Sequence, residues 1–216
     1  MSDPRVLAYG DNAVLVHWEV EGFDESVSER VHGLAARLRD KGAFAEVMPG
    51  YDSLVASFDL ADMPLASAKR RIEDALRRDS RASPGAVGRQ VDVPVHYGGE
   101  HGPDLPALAD AVELTPAQVR ERHAAQTYRV CMMGFIPGFA FLSATHPSLH
   151  HPRHATPRAR VPAGSVGIAN WQTGIYGLDS PGGWQIIGRT DAVMFDARRA
   201  EPFFVRAGDR IRFVPQ

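Results

Sequence analysis

Tyr128-Arg-Val-Cys-Met-Met-Gly134-Phe-Ile-Pro137-Gly-Phe139-Ala-Phe-Leu142, then Pro152-Arg153 and Pro157-Arg158, Val161-Pro-Ala-Gly-Ser-Val166 and Ser180-Pro-Gly-Gly-Trp184 form the stretch that decides the fold. Glycine and proline stand beside aromatics and arginines here, not in a polar linker. Glycine reaches backbone angles closed to other residues, and proline fixes φ and removes a donor. Short apolar runs between such corners predict an all-β barrel or sandwich. Frozen turns beside aromatics also mark the first place to look for a site; the plain alternative is the tight corners of a barrel and nothing more.

Upstream the pattern changes. Val6-Leu-Ala-Tyr9 and Val14-Leu-Val-His-Trp18 predict a hairpin around Gly10-Asp11. Val27, Val31, Leu34, Ala35 and Leu38 recur at helical spacing, and Gly42 stops that helix. Residues 43–48 and 53–59 predict a second strand pair, and Leu65, Ala68, Ile72, Ala75 and Leu76 a second amphipathic helix. Two strand-strand-helix units give a small sandwich, a sheet with both helices on one face. Residues 79–88, Asp-Ser-Arg-Ala-Ser-Pro-Gly-Ala-Val-Gly, break the periodicity and predict a linker. The expected division is residues 1–80, a linker over 81–90, and a β-rich domain over 91–216. Val91-Asp-Val-Pro-Val reads as a strand whose Pro94 favours an edge. Thr115-Pro-Ala-Gln118 predicts a helix start running to about His123.

Composition narrows the function. The 216 residues are 44% hydrophobic and 23% charged, with net charge −2, which argues against nucleic acid or a membrane surface as partner. No apolar run approaches the roughly 18 residues needed to span a membrane, and the N-terminus lacks a signal-peptide segment. The single cysteine, Cys131, allows no internal disulfide and fits a reducing cytoplasm.

Arg153, Arg158, Arg160 and Arg189 are the charges of interest. Each guanidinium offers a planar fork of donors to a carboxylate or phosphate, and surface arginines or ties between barrel loops are the alternative. His146, His150, His151 and His154 cluster, but Pro147 and Pro152 interrupt any helix that would align them, so no metal site is predicted. Cys131 lies in an apolar strand and reads as core. Ser165 lacks the Gly-x-Ser-x-Gly elbow of an α/β-hydrolase and reads as a turn residue. No Gly-x-x-x-x-Gly-Lys phosphate cradle occurs; the only lysines, Lys41 and Lys69, lie outside Gly-rich loops.

The ordered set of Gly134–Leu142, Pro152-Arg153, Thr156-Pro-Arg158, Val161–Val166, Gln172-Thr-Gly-Ile-Tyr176, Ser180-Pro-Gly-Gly-Trp184 and Ile187-Gly-Arg-Thr190 resembles the KipI family, the B-type subunits of 5-oxoprolinase, also called allophanate hydrolase subunit 1. Tyr9-Gly-Asp11, Tyr51-Asp-Ser-Leu54, Val93-Pro-Val-His-Tyr97, Gly102-Pro-Asp-Leu105 and Gly208-Asp209 extend the resemblance over nearly the whole chain. It implies an α+β protein: a small N-terminal α/β sandwich, then a cyclophilin-like, carboxyltransferase-like β-barrel. It also implies a cytoplasmic subunit of an ATP-dependent amidohydrolase that opens 5-oxo-L-proline to L-glutamate. ATP, with Mg, would be held largely with partner subunits. Those partners would be a sister carboxyltransferase-like subunit (the C-type subunit of 5-oxoprolinase, or allophanate hydrolase subunit 2) and a lactam-utilisation-type, or A-type, subunit. Alternatives are a protein that inhibits a sensor histidine kinase, as described for the family's name-giving member, or a subunit of a urea- or allophanate-processing amidolyase. On this resemblance Arg153, Arg158 and Arg189 are expected to bind anions, with Gln172, Thr173 and Tyr176 as neutral polar contacts. Phe135, Pro137, Gly138, Phe139, Ser180, Gly182, Gly183 and Trp184 are expected to wall the pocket. No catalytic residue is assigned.

Overall fold

The computed structural model describes residues 3–77 and 88–216, which fall in two compact units, one within 1–87 and one over 88–216. Most of the expected linker therefore lies outside the described residues.

In the first unit, strands β1 (Arg5–Ala8), β2 (Ala13–His17), β3 (Glu46–Pro49) and β4 (Ser53–Ser57) form an antiparallel sheet in the order β1-β2-β4-β3. Helices α1 (Glu25–Asp40) and α2 (Leu65–Arg77) cover one face. Asp24 starts α1 by accepting the backbone N–H groups of Ser26 (2.8 Å) and Val27 (3.2 Å), which fills orphan donors of the first turn. Side chains alternate across a strand. Val14, Val16, Val47, Leu54 and Ala56 thus join Val31, Leu34, Leu38 and Ile72 in a closed core. Leu7, Leu15, Val55 and Met48, which pair in one row across the four strands, face the other way.

The second unit is a closed barrel with strand order β10-β7-β6-β13-β5-β12-β9. Its strands are β5 (Gln90–Tyr97), β6 (Thr127–Met133), β7 (Ala140–Ala144), β9 (Ser165–Ala169), β10 (Gln172–Ile175), β12 (Gln185–Arg189) and β13 (Arg210–Pro215). A separate ribbon pairs β8 (Arg158–Val161) with β11 (Ser180–Gly182). Two short helices, α3 (Leu105–Ala111) and α4 (Pro116–Ala124), intervene between β5 and β6. The Thr115/Gln118 capping box expected from sequence is present at the start of α4; α3, a helix of 7 residues that follows the Gly102-Pro103 step, carries too little periodicity to be read. β5 is not an edge. It pairs in parallel with β13 along its length and with β12 only at His96 and Tyr97. Pro94 sits in the half that has a single neighbour, where the missing donor leaves no gap with β12. Residues 88–90, expected in the linker, belong to the barrel. Arg89 donates its backbone N–H (3.0 Å) and its Nη2 (2.8 Å) to Asp209, and Asp209 also accepts the Arg206 N–H.

The barrel is filled by Val93, Val95, Val130, Leu142, Val166, Ile168, Ile175 and Ile211, and among them lies a polar chain. The Thr173 hydroxyl donates to the Gly167 carbonyl at 2.9 Å, so it must accept from His123 Nε2, 2.8 Å away. That fixes the proton on Nε2 and leaves Nδ1 to accept the Tyr97 hydroxyl at 2.7 Å. Phe213 stacks on the ring at 4.6 Å, and the Tyr128 hydroxyl donates to the His123 carbonyl at 2.8 Å. Burial drives the His123 pKa from its ordinary value of 6.5 to about 3 and raises those of Tyr97 and Tyr128.

A lowered histidine pKa means that the unfolded chain binds a proton between pH 6.5 and about 3 that the folded chain refuses. Stability from this group is full above pH 6.5 and falls as the pH drops below it. We expect urea-unfolding free energy to decline there with a His123 contribution of at most about 1.4 kcal/mol per pH unit. His123→Gln should be less stable at pH 8 and should show a flatter acid limb. An unchanged slope would place the proton uptake elsewhere.

Candidate functional site

Five segments of the barrel unit meet at a cleft of about 240 Å³ lined by Glu100, His101, Arg158, Arg160, Ser165 and Arg189, with Val161, Pro162 and Ile186 as its apolar lining. The segments are the loop before α3, β8, the turn after it, the start of β9, and β12. Asp104, at the foot of the loop, ties them together. Its backbone N–H donates to the Ile186 carbonyl at 3.0 Å, and its Oδ2 accepts the Ile186 N–H at 2.6 Å. Its Oδ1 accepts Arg158 Nη2 at 2.5 Å. His154 Nε2 stands 3.2 Å from Oδ2 without the alignment of a hydrogen bond. Gly102 lets the loop lie this close, since a Cβ there would come within 2.1 Å of the Ile187 carbonyl oxygen.

The turn from β8 to β9 is clamped by Asp179. Its Oδ1 accepts the Ala163 N–H (2.8 Å), and its Oδ2 takes Arg160 Nε (2.8 Å) and Nη2 (2.6 Å). Those partners, the Ala163 N–H first, hold its carboxyl below the usual range. Gly164 makes the corner at φ +79°, with a Cβ position only 2.2 Å from the Thr190 oxygen; no other residue fits there. The turn delivers Ser165 directly opposite Arg189 in the β9–β12 ladder. The register slips between Ile186 and Gly188. Such a bulge re-aims the residues beyond it.

The expected site residues divide. Arg158 and Arg189 line the cleft, but Arg158 also serves the Asp104 tie, with Nη2 engaged and Nη1 buried without a hydrogen-bond partner among the described residues. Arg189 makes no side-chain hydrogen bond or ion pair among the described residues. Arg153 is exposed and outside the cleft lining, near Tyr176, where it and Arg158 pull against the burial that raises the Tyr176 pKa. Thr173 is wholly buried in the His123 chain, so it is a core residue and not a substrate contact. Gln172 lies in β10, opposite Ala169 and Ala144.

Two residues of the expected pocket wall, Phe139 and Trp184, belong with Tyr176 to a second apolar core. Phe139 packs edge-on against Tyr176 (4.9 Å) and Trp184 (5.4 Å) and is itself buried. Val161 and Ile186 belong both to this cluster and to the cleft lining. Phe135, at φ +66° and 64% exposed, stands with exposed Pro137 on the β6–β7 loop, and Gly138 packs on Phe195. Ser180 and Gly182 are in β11, Gly182 under the Tyr176 hydroxyl, and the Gly183 carbonyl accepts the His154 N–H. None of these lines the cleft. His146 accepts the Ser148 N–H, His150 approaches the Thr145 carbonyl, and His151 bridges to Asn170. No group of three or more His, Cys, Asp or Glu side chains is placed to hold an ion among the described residues. Asp104, His101 and Ser165 are the residues that sequence reasoning missed. The Gly102-Pro-Asp-Leu105 motif was the available signal for Asp104.

A closed barrel with appended ribbon and an N-terminal sandwich defines a carboxyltransferase-type protein. Residues 4–205 match the family described as carboxyltransferase domain, subdomain C and D. The B-type subunit of 5-oxoprolinase from Bacillus subtilis (strain 168) is 38% identical over 97% of this chain and 92% of its own. That of Escherichia coli O157:H7 is 39% identical over 100% and 98%. The chain belongs to this family of 5-oxoprolinase B-type subunits, as the motif resemblance implied. Among solved structures, TTHA0988 superposes with a TM-score of 0.81 at 34% identity, over 94% of this chain but only 39% of that one. The Kluyveromyces lactis urea amidolyase, at 17% identity and TM-score 0.75 over 99% of this chain and 15% of its own, shares the fold.

Removing the Asp104 carboxylate leaves a buried N–H and a half-buried guanidinium without their acceptor. Asp104→Ala should therefore cost roughly 2–4 kcal/mol in urea unfolding. Asp104→Asn, which keeps an acceptor for Ile186, should cost less. Equal stability of the parent and Asp104→Ala would remove Asp104 as the tie.

Proposed function

We propose that this chain is the B-type subunit of an ATP-dependent 5-oxoprolinase, a cytoplasmic complex that opens the lactam of 5-oxo-L-proline to L-glutamate. Its partners are the sister carboxyltransferase-like, C-type subunit and the lactam-utilisation-type, A-type subunit. The relatives carry the reaction class; the cleft carries the role of this chain. The central observation is the pairing of Arg189, whose guanidinium has no hydrogen-bonded partner among the described residues, with the free Nη1 of Arg158 beside buried apolar walls. Two cationic edges in a partly dry cleft bind an anionic group of the reacting species and hold it in place.

The chain's own residues orient and exclude water; they do not make a complete reacting centre. Ser165 Oγ has no hydrogen-bonded base among the described residues, and Cys131 is buried in β6. Nor does the cleft suit a whole nucleotide. Its volume of about 240 Å³ lies below the roughly 300 Å³ at which sites for drug-sized ligands begin, and no lysine lines it. ATP, which when bound supplies the driving force for opening a five-membered amide, is therefore assigned mainly to the partner subunits.

The purified chain alone should form no glutamate from 5-oxo-L-proline and ATP, while the mixture with both partner subunits should. Arg189→Gln should lower kcat/KM of the mixture roughly 10- to 150-fold, the worth of one charge-assisted hydrogen bond, with the melting temperature of the chain unchanged. Turnover by the chain alone would overturn the reading of it as one part of a complex. Full activity of the Arg189→Gln mixture would remove the cleft from it.

A further inference from the structure

Ser165 is 1% exposed and lines the cleft; its hydroxyl makes no hydrogen bond to any described residue and keeps a trace of exposure there. Buried polar groups are nearly always satisfied, and an unsatisfied one calls for an explanation. Two such atoms belong to residues that line the same cleft: Arg158 Nη1 and His101 Nδ1 are both buried and without hydrogen-bond partners among the described residues. Arg189, the cross-strand neighbour of Ser165, adds a guanidinium. Facing side chains on such a pair stand about 5 Å apart, so the hydroxyl and the guanidinium reach one ligand together.

All four groups can donate. The one acceptor-only side chain in the lining, Glu100, is 88% exposed at the rim and faces His101 Nε2 at 3.8 Å. The directions of the donors matter as much as their charge. A carboxylate has two coplanar oxygens, and a single guanidinium fork satisfies both. No lining arginine but Arg189 has its fork free: Arg158 spends Nη2 on Asp104, and Arg160 spends Nε and Nη2 on Asp179. Beside the Arg189 fork from β12, single donors come from the loop before α3, from β8 and from β9. Such a set surrounds a group whose oxygens point in several directions. A phosphoryl group, with three strong acceptor oxygens, is that group.

We propose that Ser165, Arg189, Arg158 Nη1 and His101 form a phosphoryl-binding site for a small phosphorylated acid or free phosphate. This deepens the functional reading above by naming the anionic group, and rests on it for the role of the cleft.

The isolated chain suffices for the test, without reconstituted activity. Inorganic phosphate, titrated calorimetrically and followed by thermal shift, should bind saturably with one site per chain. Ser165→Ala removes a hydroxyl with no internal partner, so the phosphate-free melting temperature should hold or rise. Its phosphate affinity should fall roughly 10-fold, for one lost hydrogen bond to a charged group. Arg189→Gln should lower it at least as much. 5-Oxo-L-proline serves as the carboxylate arm. Phosphate binding that Ser165→Ala leaves unchanged, absence of saturation, or binding of 5-oxo-L-proline with none of phosphate would each overturn the assignment. Reconstituted turnover would still stand in any of these cases, which separates this proposal from the reading of the chain as one part of a 5-oxoprolinase.

Discussion

A carboxylate taken out of water must be repaid by partners, and Asp104 takes its partners from two strands that sequence keeps more than twenty residues apart. One of its oxygens closes a two-way backbone exchange with Ile186, and the other holds Arg158. The loop carrying His101 is thereby fixed against β12, and β8 against both. Among the described contacts, that carboxylate is the one hydrogen-bond partner of the Arg158 guanidinium. Asp179 acts in the same way on the turn above, but exposed to solvent, so its hold rests on geometry more than on charge.

The α+β order, the α4 cap and the barrel were legible because each rests on local signals: alternation, capping residues and glycine or proline corners. The cleft was legible only in part. Arg158 and Arg189 stood out because guanidinium chemistry does not depend on context. The aromatics expected in the wall, Phe139 and Trp184, are not in the cleft lining; they pack with Tyr176, because aromatic residues carry the same pattern whether they face a ligand or one another. Only the pairing of β9 with β10 and β12 decides which. Ser165 was hidden for a related reason. A serine in a Gly-Ser turn reads as a turn residue, and its lack of a partner is a property of the folded chain alone.

Thr173 and His123 illustrate the opposite case, polar residues that look functional and are structural. A barrel interior filled by branched aliphatics tolerates a hydrogen-bonded chain only when every member is satisfied. Here the order of donors from Tyr97 through His123 and Thr173 to the Gly167 carbonyl leaves none unsatisfied. The chain joins α4 to β5, β9 and β10, so a register slip of one strand would break it. Its contribution is to register as much as to stability.

Val161 and Ile186 connect the aromatic core with the cleft, because they form part of both at once. The aromatics thus stand one layer behind the wall they were expected to form. Edge-on packing of Phe139 with Tyr176 and Trp184 fixes β10 and β12 from outside the barrel, while Ile168 and Ile175 fix β9 and β10 from inside. β9 and β12, which carry Ser165 and Arg189, are held on both faces: Val166, Ile168 and Ile187 lie in the barrel core, and Ala169 and Ile186 in the aromatic cluster. Strands held in this way lose little further freedom on binding a ligand. For the site proposed above, the framework that carries Ser165 and Arg189 is set by folding, and only the side chains at its edge have to adjust to a ligand.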